Sequence, residues 1–242
     1  MTILSVNVNK IALLRNSRGR DYPNVLDFVE QVIAFGVKGI TVHPRPDERH
    51  VTRRDVYAIR DCLKRYPQVE FNIEGYPSAE FIRMVLEVAP AQCTLVPDQP
   101  GQLTSDHGWN LPDSKLMLQS VLPQLRAAGI RSSLFMDPVP SAMSLVAEVG
   151  ADRIELYTEE FARQYATSAE TAIFEQYRIA SWQAQQLGIG VNAGHDLNLN
   201  NLAKFLEIPD ILEVSIGHAL VIECLQFGVH AVIGRYLAIT GE

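Results

Sequence analysis

Residues 189–220, IGVNAGHDLNLNNLAKFLEIPDILEVSIGHAL, decide the fold. Two short Val/Ile-containing runs, 189–194 (IGVNAG) and 212–217 (LEVSIG), lead into the same pair, Gly194-His195 and Gly217-His218. A helix-like stretch separates them, so the unit reads strand–helix–strand, the repeat of a parallel sheet. Six more such runs precede it: 3–9 (ILSVNVN), 37–44 (VKGITVHP), 69–75 (VEFNIEG), 92–97 (QCTLVP), 131–137 (RSSLFMD) and 153–158 (RIELYT). Most read as apolar runs, as expected of parallel strands covered on both faces. Eight alternating units favour a closed (β/α)8 or TIM barrel over an open doubly wound sheet. A length of 242 residues suits one such barrel, so 1–242 is expected to form a single domain.

The segments between the runs carry helix signals. Thr52 and Asp55 form a T-x-x-D start ahead of Val56, Ile59, Cys62 and Leu63, which share one helical face. Ser78 is placed to cap a helix that stops near Pro90, and Thr167 with Glu170 makes a capping-box pattern ahead of Ile173. Gly36, Gly129, Gly150 and Gly188 sit at helix ends, where a left-handed residue is wanted. Residues 98–113, DQPGQLTSDHGWNLPD, break the rhythm. A loop of that length on the catalytic face of a barrel reads as a lid, with a surface excursion as the alternative. Residues 159–167 are expected to add a short helix.

Composition narrows the class. Hydrophobic residues make up 47% and the net charge is −7, so a large core is available and a general affinity for nucleic acid or anionic membrane is not. Cys62, Cys93 and Cys224 are far apart and in no CxxC pairing, which fits reduced thiols in the cytoplasm. The first residues lack the pattern of a signal peptide, and no apolar run approaches a membrane span.

The chemically capable residues fall at strand ends, which in a barrel converge on one mouth. His43, His195 and His218 follow strands two, seven and eight; Glu74 and Glu155 end strands three and six. Burial would raise the carboxyl pKa values and suit them to acid/base work, structural ion pairs being the alternative. The polar run PRPDERH after strand two, with Arg45, Arg49 and His50, suits an anionic substrate. The paired Gly-His endings suit phosphate held by backbone N–H groups. Asn7 and Asn9 are expected to face inward at the top of strand one, followed by the cations Lys10, Arg15 and Arg18. Lys10 could form a Schiff base, although its place at a loop edge fits a phosphate or carboxylate contact better. Two His and two Glu could bind a divalent ion, but no HxH or HExxH spacing supports a metal site. His107 falls in the lid, and His230 in the last helix, where a surface role is expected.

Taken together, NVNKIALLRNSRG, ITVHPRPDERH, FNIEG, TLVPD, IELYT, VNAGHDL and VSIGHAL resemble the pyridoxine 5′-phosphate synthase (PdxJ) family of vitamin B6 biosynthesis, in order from about residue 4 to residue 220. The resemblance implies a (β/α)8 barrel that joins 3-amino-2-oxopropyl phosphate to 1-deoxy-D-xylulose 5-phosphate. It also implies no metal or organic cofactor and a homo-octamer. By matching motif, His43 and Glu74 would accept protons, His195 would donate one, and Glu155 would stabilise the transition state. Asn7, Arg18, Gly217 and His218 would hold the aminooxopropyl phosphate; Arg45, His50 and Thr104 would hold the deoxyxylulose phosphate. Three departures stand out. Asn9-Lys10 replaces Asp-His at the sugar-phosphate contact. Asp196 replaces a glycine at the phosphate site and is expected to point away from the anion. Ile222-Glu223 replaces Gly-Arg after strand eight. Two rival readings are a Schiff-base aldolase acting through Lys10 and a catalytically silent barrel that binds phosphorylated metabolites.

Overall fold

The computed structural model describes residues 1–98, 101–102 and 104–242. Its strands are β1 (Ile3–Asn7), β2 (Gly39–Val42), β3 (Glu70–Gly75), β4 (Gln92–Leu95), β5 (Arg131–Met136), β6 (Arg153–Tyr157), β7 (Gly190–Gly194) and β8 (Ile211–Ile216). All run parallel and pair in chain order, and β8 returns to β1 to close the barrel. Each lies on one of the expected runs. Ser5 sits opposite both Gly39 and Ser215, and a Cβ at Gly39 would come within 2.8 Å of the Ser5 backbone, so the β1–β2 seam needs a glycine there.

Around the strands lie α1 (Asn9–Asn16), α2 (Val25–Ala34), α3 (Arg53–Leu63), α4 (Ala79–Val88), α5 (Leu111–Ala127), α6 (Met143–Val149), α7 (Glu159–Gln164), α8 (Glu170–Gln186), α9 (Leu202–Phe205), α10 (His218–Phe227) and α11 (Val229–Thr240). Thr52 and Asp55 form the expected capping box on α3, and Ser78 accepts from the Phe81 N–H at the start of α4. Gly36, Gly129, Gly150 and Gly188 all have positive φ at helix ends. The short helix expected over 159–167 is α7.

Four expectations need correction. The strand read over 3–9 ends at Asn7, because Asn9 already opens α1, which buries Ile11 and Ala12. Lys10 is therefore in a first helical turn rather than at a loop edge. The loop read over 98–113 ends at Asn110, since Leu111-Pro112-Asp113 begins α5, proline suiting the first turn of a helix. Within that loop, Gln99, Pro100 and Leu103 lie outside the described residues. Thr167 does not cap α8, whose N-cap is Ala169. Its hydroxyl donates instead to the Gln164 carbonyl at 2.7 Å, closing the end of α7, while Glu170 accepts from the Ala166 N–H, also at 2.7 Å.

The fourth correction concerns the strands, which alternate rather than being apolar on both faces. One set of residues, among them Leu4, Val6, Ile40, Ile73, Leu134, Ile154, Val191 and Val214, packs into the apolar layer under the helices. The other set is polar and faces the lumen, as hydrogen bonds between non-adjacent strands show. Gln92 of β4 donates to Glu213 of β8 at 3.3 Å, and Asn192 of β7 donates to Gln92 at 3.2 Å. Arg131 of β5 pairs with Glu70 of β3. Above this floor lie Ser5, Thr41, Asn72 and Thr94, linked by hydrogen bonds of 2.7–3.3 Å. Buried polar groups are tolerated when each finds a partner. Glu213 is 3.8 Å from Arg153, yet burial outweighs that charge and lifts its carboxyl to about 7.

Candidate active site

At the C-terminal mouth the lumen ends in His43, Glu74 and Glu155. His43 and Glu155 are deeply buried and Glu74 is 9% exposed. The His43 Nδ1 lies 3.7 Å from Glu74 Oε2, and its Nε2 lies 4.0 Å from Asp98 Oδ2. Its backbone N–H donates to Asn9 Oδ1 at 2.9 Å, so the residue that opens α1 also fixes the end of β2. Asn7 donates to Glu74 Oε2 at 3.5 Å and accepts from the Asn9 N–H at 3.0 Å.

Burial sets the protonation states. It holds His43 well below the usual histidine range, with Arg45, His50, Arg49 and His195 pushing the same way. Burial lifts Glu74 to about 8, aided by Asp98 and Glu213 and opposed by Arg45. The His43–Glu74 contact is therefore a neutral imidazole beside a carboxylic acid, and no ion pair. Glu155 is raised well above the usual range by burial, then by Glu74 and Glu213, against a hydrogen bond from Thr94. Its Oε2 has no hydrogen-bond partner among the described residues, which suits the neutral acid. A buried base and two buried acids raised above the usual carboxyl range can move several protons in sequence.

These states make stability fall with pH. Between the unfolded carboxyl value of 4.5 and the folded value of about 8, the native state holds a proton on Glu74 that the unfolded chain releases. The resulting advantage, up to roughly 5 kcal/mol, is complete below the lower limit and lost as pH rises through the upper one. The Tm of Glu74→Gln should consequently drop less than that of the parent between pH 5 and pH 9, measured by calorimetry.

His195 stands across the mouth, just past β7. Its backbone has φ +85° and that of Asp196 φ +58°, a left-handed pair rarely adopted by such side chains. Thr158 holds this turn: its hydroxyl donates to the Gly194 carbonyl at 2.7 Å and to the His195 carbonyl, and its N–H donates to Gly194 at 3.0 Å. Tyr157 and Phe135 pack edge-on to the imidazole at 5.1 and 6.2 Å. Thr104 Oγ1 reaches the His195 Nε2 at 3.3 Å. Thr158→Val keeps the volume and removes the donor. It should cost about 1–3 kcal/mol and lower turnover about tenfold, readable by thermal unfolding and steady-state kinetics.

Cations and anion donors surround this centre. Arg45 is buried and pairs with Asp98, while its other nitrogen donates to the Gln102 carbonyl at 2.9 Å. His50 lies 6.3 Å from His43, ring to ring. Burial, with Arg45, Lys10 and Arg49, lowers it to about 4. Gly217 precedes α10, which starts at His218, and a Cβ on Gly217 would come 3.0 Å from the Asn7 side chain. Asp196 turns toward His195. Its carboxylate lies 3.5 Å from His195 Nδ1 and is held below the usual range chiefly by that histidine, with His218 and Lys10 adding. Arg18 does not join the cluster; it is exposed past the far end of α1, a helix about 12 Å long. His107 is exposed beside Asp106, and His230 packs edge-on to Phe35 at 4.9 Å.

The sequence reading missed Asp98, Thr94, Thr158 and Glu213. Glu213 carried a signal, a charge inside an otherwise apolar strand, and Thr94 and Asp98 bound the TLVPD motif without having been given a role. Among the described residues no group of three His, Cys, Asp or Glu is arranged to hold a metal ion. None of their helices is long and apolar enough to cross a membrane.

Comparison with known proteins bears on this arrangement. Among solved structures of low sequence identity, the barrel resembles 3-keto-L-gulonate-6-phosphate decarboxylase of Vibrio cholerae (TM-score 0.67, 9% identity, covering 99% of this chain and 97% of that one). It also resembles thiamine phosphate pyrophosphorylase of Pyrococcus furiosus (TM-score 0.63, 13% identity, covering 99% and 95%). These likenesses concern the fold. Among curated proteins, the chain is 52% identical over 237 residues to pyridoxine 5′-phosphate synthase of Bacteroides thetaiotaomicron, covering 98% of each. It is 46% identical over 252 residues to that of Leptospira biflexa, covering 99% of this chain and 97% of the relative. The model of the family described as pyridoxal phosphate biosynthesis protein PdxJ matches residues 4–242, and the chain belongs to that family.

Proposed function

We infer that this chain is a pyridoxine 5′-phosphate synthase, joining 3-amino-2-oxopropyl phosphate and 1-deoxy-D-xylulose 5-phosphate to give pyridoxine 5′-phosphate, phosphate and water. The observation that carries the reading, beside family membership, is the neutral His43 set between carboxyl groups and facing His195 across one mouth. Imine formation, enolisation, phosphate loss and ring closure each move a proton, and one group would not serve all of them. His43, already neutral, takes the first proton. Glu74, lifted to about 8, can both give and accept one near neutrality. His195 donates to the leaving oxygen, and Glu155 steadies the charge that develops beside it.

Asn7, Gly217 and His218 hold the aminooxopropyl phosphate. Arg45, His50 and Thr104 hold the sugar phosphate, assisted by Asn9 and Lys10. Asp196 tethers His195 and balances Lys10, so the phosphate is received by backbone N–H groups rather than by that side chain. The enzyme works on small phosphorylated molecules without metal or organic cofactor, in the cytoplasm, as a homo-octamer.

The test is a mass-spectrometric product assay on metal-stripped protein. The unstable aminooxopropyl phosphate is generated in place, beside a protein-free control. Pyridoxine 5′-phosphate with released phosphate is the expected result. Absence of product while both substrates bind would replace this reading by that of a silent binding barrel. Borohydride trapping of Lys10 with substrate would replace it by that of an aldolase.

A further inference from the structure

Asp98 gathers four parts of the site on one carboxylate. The inward alternation of β4, Gln92 and Thr94, continues past the strand through Val96 to Asp98, which is 6% exposed. Its Oδ2 accepts from the Arg45 guanidinium and from Ser105 Oγ at 2.8 Å, and lies 4.0 Å from His43 Nε2. Glu74 stands at the other nitrogen of that ring, 3.7 Å away. Ser105 follows Thr104, whose hydroxyl is 3.3 Å from His195 Nε2. The Gln102 carbonyl receives both Arg45, at 2.9 Å, and Arg49, at 3.1 Å. The loops after β2 and β4 are thus tied at Asp98, and the two histidines of the mouth lie at the two ends of that tie.

A carboxylate that only neutralised a buried arginine would need neither the serine nor the imidazole. We propose that Asp98 is a positioning residue: it fixes the His43 ring between two acids, aims Arg45 into the mouth, and through Ser105 holds Thr104 against His195. The kinetic part of this inference rests on the synthase reading above. The structural part does not. Asp98 also bears on the proton held by Glu74, because its charge is the largest contribution after burial to raising that group. The groups facing Glu74 are His43, Asn7 and the buried carboxyl of Glu155, with the charges of Asp98, Glu213 and Arg45 around them.

Asp98→Asn keeps the shape and an acceptor for Ser105 but loses the charge. It should lower kcat about tenfold to a hundredfold, with KM for the aminooxopropyl phosphate changed less than about threefold. The limb of the pH profile governed by Glu74 should move to lower pH, and Asp98→Glu should recover part of the rate. Two further readouts need no turnover: the ring chemical shifts of His43 by NMR, and amide hydrogen exchange across residues 104–109, both expected to change in Asp98→Asn. Ser105→Ala, which leaves the buried ion pair intact, should speed that exchange and lower kcat a few-fold, and it serves if Asp98→Asn does not fold. Wild-type kcat, pH profile, His43 shifts and exchange in Asp98→Asn would overturn the proposal, as would unchanged exchange and kcat in Ser105→Ala. If the parent protein makes no product, the synthase reading fails, and the shifts and exchange still decide the role of Asp98.

Discussion

Replacing His43 by Asn should slow product formation about a thousandfold and leave the barrel folded. Burial keeps this imidazole neutral, so it stands ready as a base without first losing a proton. Among the described residues the ring makes no side-chain hydrogen bond that folding depends on: its acid neighbours are 3.7 and 4.0 Å away. The bond that anchors this end of β2 runs from the His43 backbone to Asn9 and survives the substitution. Glu74→Gln should act alike, since the amide can still meet Asn7 but cannot exchange a proton. Single-turnover kinetics beside circular dichroism separate chemistry from folding. An unchanged rate in either variant would remove that residue from the mechanism.

Gly194→Ala should lower kcat by about a hundredfold through a neighbour it does not replace. A Cβ there would lie 2.3 Å from Glu155 Oε1 and 3.2 Å from its carboxyl carbon, with the Ser215 carbonyl at 3.3 Å. Glu155 is buried on every side, so the carboxyl group must leave its place, at about 1–3 kcal/mol of stability. If the loss passes through Glu155, the rate effects of Gly194→Ala and Glu155→Gln will not add in the double variant. Additive losses would point instead to a displaced β7 backbone. This glycine opens the Gly-His ending that the sequence reading assigned to phosphate; the space it leaves is taken by the acid.

The barrel was legible because its repeat is long and regular, and strand ends place His43, Glu74, Glu155 and His195 without any tertiary detail. The lumen was less legible. Most runs were read as apolar on both faces, and only Asn7 and Asn9 were expected to face inward; in β3, too, Asn72 and Glu74 occupy one parity and Phe71 and Ile73 the other. In a short strand one Asn or Thr does little to announce a polar interior. Asp98 was hidden for a different reason. It closes the TLVPD motif and opens a loop already rich in Asp, Gly and Pro, where an acid acquires a role only once Arg45 and Ser105 fold onto it. Thr158 is a single hydroxyl after a strand, and only the φ of His195 reveals what it holds.

The alternation along the strands divides the chain into two nearly independent specifications. Residues such as Leu4, Ile40, Ile73, Leu134, Ile154 and Val214 are the cement, and all of it lies outside the cylinder. Gln92, Glu213, Asn192, Glu155 and His43 are the lining, and they touch mainly one another. A protein engineer could therefore re-line this vessel for a different reagent. The substitutions would keep each strand's parity and exchange polar groups only in mutually satisfied sets, leaving the cement untouched. Such a barrel should lose its reaction well before it loses its shape.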